Sequence, residues 1–266
     1  MPERYSRFTT KHRNITGTGE FAWGGESGWS SEVESSENIR ITSDGVQPAT
    51  APPPNGLVHR YDATNLSVTD GETVSSWPDQ EGSADLSGGI APTYQSSTIN
   101  GNAIVRYDGV DDYLEVEYAT ISEPYQIYVV GQMQTLTGSS PVIIVDGWSN
   151  AAHQIGQDIQ NSTDKWYGYQ GTPVRAGNAD TNPHVFEGIF RAGPNNDEIL
   201  TEGTQELAGD TGTAASDGLT VGTRGDTSGN YANVDVGEIL IYDTELSSSQ
   251  AIDVRQYLSD KWGIAL

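Results

Sequence analysis

Short apolar segments separated by Gly, Asp and Asn turns recur from Leu57 to the end of the chain, and this spacing restricts the fold more than any other feature of the sequence. Tyr113-Leu114-Glu115-Val116-Glu117-Tyr118 alternates apolar and polar residues, as do Leu219-Thr220-Val221 and Val234-Asp235-Val236. That period of two predicts antiparallel strands with one wet face. The continuous runs Pro141-Val142-Ile143-Ile144-Val145 and Ile239-Leu240-Ile241-Tyr242 predict strands buried on both faces. With 31 glycines spread through 266 residues, the turn signals predict an all-β antiparallel β-sandwich. One helix is written near the end. Ser247 and Gln250 form a capping box, and Ala251, Val254, Leu258 and Trp262 make an apolar stripe. Lys261 falls in the last turn and Gly263 is the stop. The stripe is expected to seal one end of the sandwich.

The chain divides into three parts. Residues 1–50 are too short and too polar for a core of their own; Arg4, Arg7, Lys11 and Arg13 give them a basic arm, followed by Phe21, Trp23, Trp29, Ile39 and Ile41. This part is expected to anchor the protein on an acidic partner surface or to oligomerise it through strand pairing. Residues 51–56, Ala-Pro-Pro-Pro-Asn-Gly, are expected to be a stiff linker, and 57–266 the main domain.

Thirty-seven acids against thirteen bases leave a net charge of -24, with three lysines and no cysteine. Self-repulsion on that scale favours a saline setting, because molar salt shortens the Debye length to about 3 Å. Residues 56–266 carry eight cations against thirty acids, so no nucleic-acid partner is expected. No apolar run approaches the roughly 18 residues of a membrane span, and membrane insertion is not expected. The first residues carry charge with no apolar stretch behind them, so no secretory leader is expected either.

Five segments of the main domain go together. They are Leu57-Val58-His59-Arg60-Tyr61-Asp62-Ala63, Val74-Ser75-Ser76-Trp77-Pro78-Asp79-Gln80, and Ile99-Asn100-Gly101 through Val105-Arg106-Tyr107-Asp108-Gly109 to Asp112-Tyr113-Leu114. The last are Gly237-Glu238-Ile239-Leu240-Ile241-Tyr242 and Tyr257-Leu258-Ser259-Asp260-Lys261-Trp262-Gly263. Together they resemble the laminin-G-like, concanavalin A-like jelly roll, and the likeness covers nearly all of 57–266. Its closing strand and helix, ending in Lys-Trp-Gly, is the most specific part. It implies a lectin-like module that binds sugar or protein, sometimes with calcium, and in some relatives a glycan hydrolase. Trp77 and Trp262 are expected to fill the ends of the core with their indole N–H groups satisfied.

A basic arm, an aromatic segment and a proline spacer ahead of a lectin-like head resemble the layout of viral tail-fibre, spike and capsid-decoration proteins. The expectation is a non-enzymatic virion structural protein of a halophilic archaeal virus. It would be displayed on the virion surface after assembly in the host cytoplasm and would serve host attachment or capsid decoration. It would form a homo-oligomer, trimer or pentamer, and contact other virion proteins and a host-surface glycan or glycoprotein. The alternative is a cell-surface or secreted glycan-binding or glycan-hydrolysing module of a halophilic microbe.

Candidate ligand contacts are Trp148, Asn150, Trp166, Tyr167 and Tyr169, since aromatic plates with a polar rim suit carbohydrate. Trp148 is expected exposed and Trp166 buried. Calcium is the candidate cofactor, with Asp146 and Asn150, or Asp226 and Asn230, as oxygen donors. The histidines His12, His59, His153 and His184 are dispersed and predict no zinc site; His59 is expected to be a hydrogen-bonded edge residue. No catalytic residue is assigned. Glu32-Val33-Glu34-Ser35-Ser36-Glu37 is similar to the Glu-x-Asp-x-x-Glu strand of jelly-roll glucanases, but it departs at the middle acid and lies outside the main domain.

Overall fold

The computed structural model describes residues 31–32, 40–42, 45–46, 51–136, 141–149, 152–193 and 196–266. Arg4, Arg7, Lys11, Arg13, Asn150 and the side chains of 32–37 lie outside the described residues. Within the first fifty residues, strands β1 (Ser31–Glu32), β2 (Arg40–Thr42) and β3 (Gly45–Val46) form a small antiparallel sheet.

Two eight-stranded antiparallel sheets follow and pack face to face. The first contains β4 (Leu57–Asp62), β7 (Thr93–Ile99), β8 (Asn102–Asp108), β10 (Tyr125–Met133), β15 (Pro183–Phe190), β16 (Asp197–Thr201), β17 (Thr204–Gly209) and β19 (Asn233–Tyr242). The second runs in the order β14 (Pro173–Ala176), β13 (Thr163–Tyr169), β12 (Gln154–Gln160), β11 (Val142–Asp146), β18 (Ser216–Val221), β9 (Leu114–Ile121), β6 (Leu86–Ser87), β5 (Ser76–Trp77). The chain is thus an all-β sandwich with one C-terminal helix.

Alternation decides which side chains meet. On β10, Tyr125, Ile127 and Val129 point between the sheets, while Tyr128 and Val130 point outward; on β19, Ile239 and Ile241 are inner and Leu240 and Tyr242 outer. The inner set joins Trp77, Trp166, Phe186, Leu219 and Val221 in the main core. The outer set is covered by helix α1 (Ser248–Trp262), whose buried residues are Ala251, Val254, Tyr257, Leu258 and Trp262. Both capping-box bonds between Ser247 and Gln250 are present, and Gly263 adopts a left-handed φ of 65° with its N–H on the Ser259 carbonyl. The helix lies on the outer face of the first sheet, not on an end of the sandwich as its stripe suggested.

Burial departs from the alternating pattern as well. Asp235 was read as a wet-face residue of an alternating strand, yet it is fully buried, held by Arg106 through Nε–Oδ1 and Nη2–Oδ2 bonds of 2.7 Å each. Thr220 is buried as well, with its hydroxyl donating to the Gly147 carbonyl. A polar residue enclosed by neighbouring strands is hidden even where the strand alternates, and pairing satisfies it.

Four of the segments that resemble the lectin-like fold meet at this helix-covered face; the one around Trp77 belongs to the second sheet. Glu238 accepts from Arg60 Nε (3.0 Å), the Tyr257 hydroxyl (2.9 Å), Lys261 Nζ (2.7 Å) and the Trp262 indole (2.9 Å). Asp62 accepts from Arg60 and Lys261. Asn100 donates to the Trp262 and Gly263 carbonyls, and Asn102 to that of Lys261, closing the helix C-terminus. Gly237 leaves room for the Trp262 ring, since a Cβ there would sit 2.5 Å from it. Trp77 is buried against Tyr61, but its indole N–H has no partner, contrary to expectation. The Pro-rich stretch read as a spacer lies against β19: Pro52 is buried, and the Tyr242 hydroxyl donates to the Pro53 carbonyl.

Candidate functional site: a groove on the uncovered face of the second sheet

Neighbouring strands β11, β12 and β13 turn a set of aromatic and polar side chains away from the core. Tyr167 and Tyr169, two apart on β13, share the outer face and lie nearly parallel, with an interplanar angle of 9° and ring centroids 6.3 Å apart. Gln154 stands directly opposite Tyr169 across the ladder, and Gly156 opposite Tyr167. Tyr167 is 5% exposed and carries the Arg175 guanidinium 5.4 Å from its ring centroid, while Tyr169 is half-buried. Burial pushes the Tyr167 hydroxyl up to about 12.

These strands floor a hollow of about 390 Å³, walled by Asp146, Ser149, Gln154, Arg224, Asp226 and Asn230. Beyond Tyr169 lies a second hollow of about 550 Å³, which Tyr169 also lines, with Thr120, Gln170, Thr213 and Asp217. Ser149 of the first hollow donates its hydroxyl to Asp217 of the second, so the two adjoin.

Asp146 is fully buried at the base. It accepts from the Gly147 N–H (2.7 Å), the Gln154 amide (2.8 Å) and the Gly225 N–H (2.8 Å). Burial outweighs those bonds and pushes its carboxyl up to about 7. Asp226 is the opposite case: the Arg224 guanidinium holds it well below the usual carboxylate range, with help from Ser228. Arg224, Asp226 and Ser228 thus fix the shape of one turn, and the Asp146–Gly225 bond ties that turn to β11. Asn230, at φ 66°, donates to the Pro141 carbonyl, and its own carbonyl accepts from the Ile143 N–H.

The structure brings together five of the residues singled out in the sequence, Tyr167, Tyr169, Asp146, Asp226 and Asn230. It removes two others from the site. Trp166 is 2% exposed on the inner face, edge-on to Phe186, and is a core residue. Trp148 is half-buried, gives its backbone N–H to Asp217 and does not line either hollow among the described residues. Of the residues expected to donate to calcium, Asn150 lies outside the described residues. Asp146 is wrapped by N–H groups and Asp226 is paired with a guanidinium, so their oxygens face hydrogen-bond donors. The one tight acidic triplet among the described residues, Asp108, Asp111 and Asp112, bonds its own turn through the backbone N–H groups of Asp108, Val110 and Asp111.

The histidines stay apart. His59 meets Asp79 at 2.7 Å and stacks on Tyr118, His184 sits between Glu202 and Asp180, and buried His153 is pushed down to about 4 by its burial. Gln154, Arg224, Gln170 and Asp217 escaped the sequence reading. Arg224 had a legible signal, a rare cation in a Gly-rich turn of an acidic chain; the others reach the site through strand register alone.

No protein-family model matches the sequence, and no curated protein matches it. Among solved structures the chain is similar to domain 4 of AbnA, an extracellular arabinanase from Geobacillus stearothermophilus, in complex with arabinotriose. There the TM-score is 0.52 at 14% identity, covering 75% of this chain and 98% of that one. It is similar to Trypanosoma rangeli sialidase in complex with sialic acid, with TM-score 0.57 at 14% identity, covering 85% of this chain and 36% of the sialidase. The binding domain of botulinum neurotoxin DC in complex with SialylT gives 0.53 at 12% identity, covering 76% of this chain and 52% of that one. Likeness at this identity is one of fold, and the chain spans about a third of the sialidase. The expectation that the protein is not an enzyme is corrected by these neighbours: glycoside hydrolases stand among them, so the fold gives no ground for excluding glycan hydrolysis. The shared architecture is an antiparallel β-sandwich that occurs in glycan-binding and glycan-processing proteins.

Proposed function

We propose that the sandwich is a carbohydrate-recognition domain and that its glycan lies on the uncovered face of the second sheet, against Tyr169. The observation that carries this reading is the parallel Tyr167–Tyr169 pair at the base of a groove rimmed by Gln154, Asn230, Ser149 and the Arg224–Asp226 turn. A sugar ring presents an apolar face to an aromatic plate and hydroxyls to amides and carboxylates, and this groove supplies both. Tyr167 backs the plate, locked under Arg175, so Tyr169 meets ligand without reordering. The fold neighbours solved with arabinotriose, sialic acid and SialylT support the same class of ligand. Glycan-array screening of the full chain tests it. Binding that falls about 10- to 100-fold in Tyr169→Ala, the loss of roughly 1.4 to 3 kcal/mol at a contact hot spot, is expected; silence across the array would overturn it.

A second reading, glycan hydrolysis, is favoured by one observation: two carboxyl groups of opposite protonation tendency, Asp146 and Asp226, line the same hollow. Release of reducing ends from a polysaccharide, abolished in both Asp146→Asn and Asp226→Asn, would establish it.

The finer reading is a jelly roll displayed on the surface of a halophilic virus, mounted as a trimer or pentamer through residues 1–50 and facing a host glycan. The charge of -24 and the basic arm support it. Sedimentation of the full chain in molar salt should give such an oligomer, with a lower melting temperature in dilute buffer. A salt-independent monomer would instead favour the cell-surface or secreted module.

A further inference from the structure

The charges around the groove discriminate between two kinds of glycan. Arg224 is the one cationic side chain among the described residues that line either hollow, and its guanidinium is engaged by Asp226 through Nε and Nη2. Asp217 adds a carboxylate on the far side of Tyr169. Of the cations nearby, Arg175 is turned onto Tyr167 and paired with Asp158 at the sheet edge, and Lys165, two residues before Tyr167 on the same face of β13, lines neither hollow and gives its ammonium to Asn178. Among the described residues that line the hollows, an incoming carboxylate or sulfate would meet no cation but the paired Arg224, and at low salt the protein's net charge of -24 would repel it at distance.

The shape adds a second restriction. Each hollow by itself falls within the roughly 300–1,000 Å³ common for small-molecule sites. The two adjoin at Tyr169 and are stapled by the Ser149–Asp217 bond. A ligand seated on Tyr169 therefore has room to continue in both directions. Its neighbours would meet Gln154 and Asn230 on one side and Thr120, Gln170 and Thr213 on the other, all uncharged.

From these we infer that the groove takes a neutral, extended oligosaccharide bound along its length, and not a terminal acidic sugar. This rests on the carbohydrate-recognition reading and specifies its ligand. Affinity rises with chain length as the second hollow fills, because each added ring gains contacts with little further loss of overall freedom.

Titration calorimetry on the full chain, with arabinose, arabinobiose, arabinotriose and xylohexaose as neutral probes and sialyllactose as the acidic one, tests both parts. The expected result is at least a tenfold gain in affinity from monosaccharide to the best-bound longer chain, with no sialyllactose binding in low or molar salt. Thr213→Trp, which fills the second hollow from an exposed edge, should erase the length dependence. Asp226→Asn, which frees Arg224, should admit sialyllactose; circular dichroism of both variants checks that they fold. Preference for sialyllactose, or equal affinity for one sugar and three, overturns this inference and leaves the recognition reading intact. Absence of binding to every probe and to a glycan array removes both.

Discussion

The two outer faces of the sandwich differ in what covers them. On the first sheet, helix α1 lies over Leu240, Tyr242, Tyr128 and Val130, and the polar groups beneath it are locked into one network around Glu238. On the second sheet, no helix among the described residues covers β11 to β13, and the side chains there, Tyr167, Tyr169 and Gln154, line a hollow. Both faces carry buried acids, but the chemistry differs. Glu238 is neutralised by two cations, whereas Asp146 is held only by amide donors and stays protonated up to about 7. A covered face uses charge to fix one arrangement of strand and helix. The groove face pairs its one lining cation with an acid and leaves the Tyr169 ring half-exposed.

The largest effects that could break this contrast belong to the covered face. Trp262→Ala removes a fully buried ring that also satisfies Glu238, and Glu238→Gln leaves Arg60 and Lys261 with one carboxylate fewer. Each should cost about 3–5 kcal/mol in denaturant unfolding. A loss below about 1 kcal/mol from either would mean that the helix is not integral to the sandwich.

Next comes a pH effect confined to the groove. The folded protein holds the Asp146 proton up to about 7 against an ordinary value of 3.8, so it binds more protons than the unfolded chain between those values. The stability linked to this group is therefore full below about pH 4 and is lost as pH rises toward 7. Denaturant unfolding at pH 4, 5.5 and 7 should fall by an amount on the order of a few kcal/mol relative to Asp146→Asn across the same range. Parallel pH profiles for the two proteins would contradict the assignment. Asp112, which burial pushes up to about 6, contributes with the same sign in both and cancels in the comparison.

Gly237→Ala is a smaller test. It places a methyl against the Trp262 ring and should cost about 1–3 kcal/mol, read as a lowered melting temperature. Smallest of all, Tyr169→Ala should change stability by no more than about 1 kcal/mol, since the ring is half-buried, while it lowers the proposed glycan binding about 10- to 100-fold. If Tyr169→Ala unfolds the protein as readily as Trp262→Ala, the groove is a structural face and the contrast disappears.

Much of the fold was legible. The capping box, the stripe and Gly263 defined the helix to the residue, and the runs at 141–145 and 239–242 are buried strands. The reading failed where a partner far away in sequence decided burial. Asp235 looks solvated until Arg106, 129 residues away, and the neighbouring strands close over it. At the site, the aromatic cluster at 166–169 was visible, but strand alternation sends Trp166 inward and Tyr167 and Tyr169 outward, and only the sheet order says which side is the core.

By itself the sequence determined the local structure: strand periodicity, turn positions, a capped helix and an acidic surface are set by contacts a few residues apart or by summed charge. Tertiary structure alone decided which face the helix covers, that five singled-out residues share one groove, and that the oxygens of Asp146 and Asp226 are already engaged by N–H groups. The physical reason is register: hydrogen-bonded pairing of strands distant along the chain sets which side chains become neighbours, and no local pattern records it.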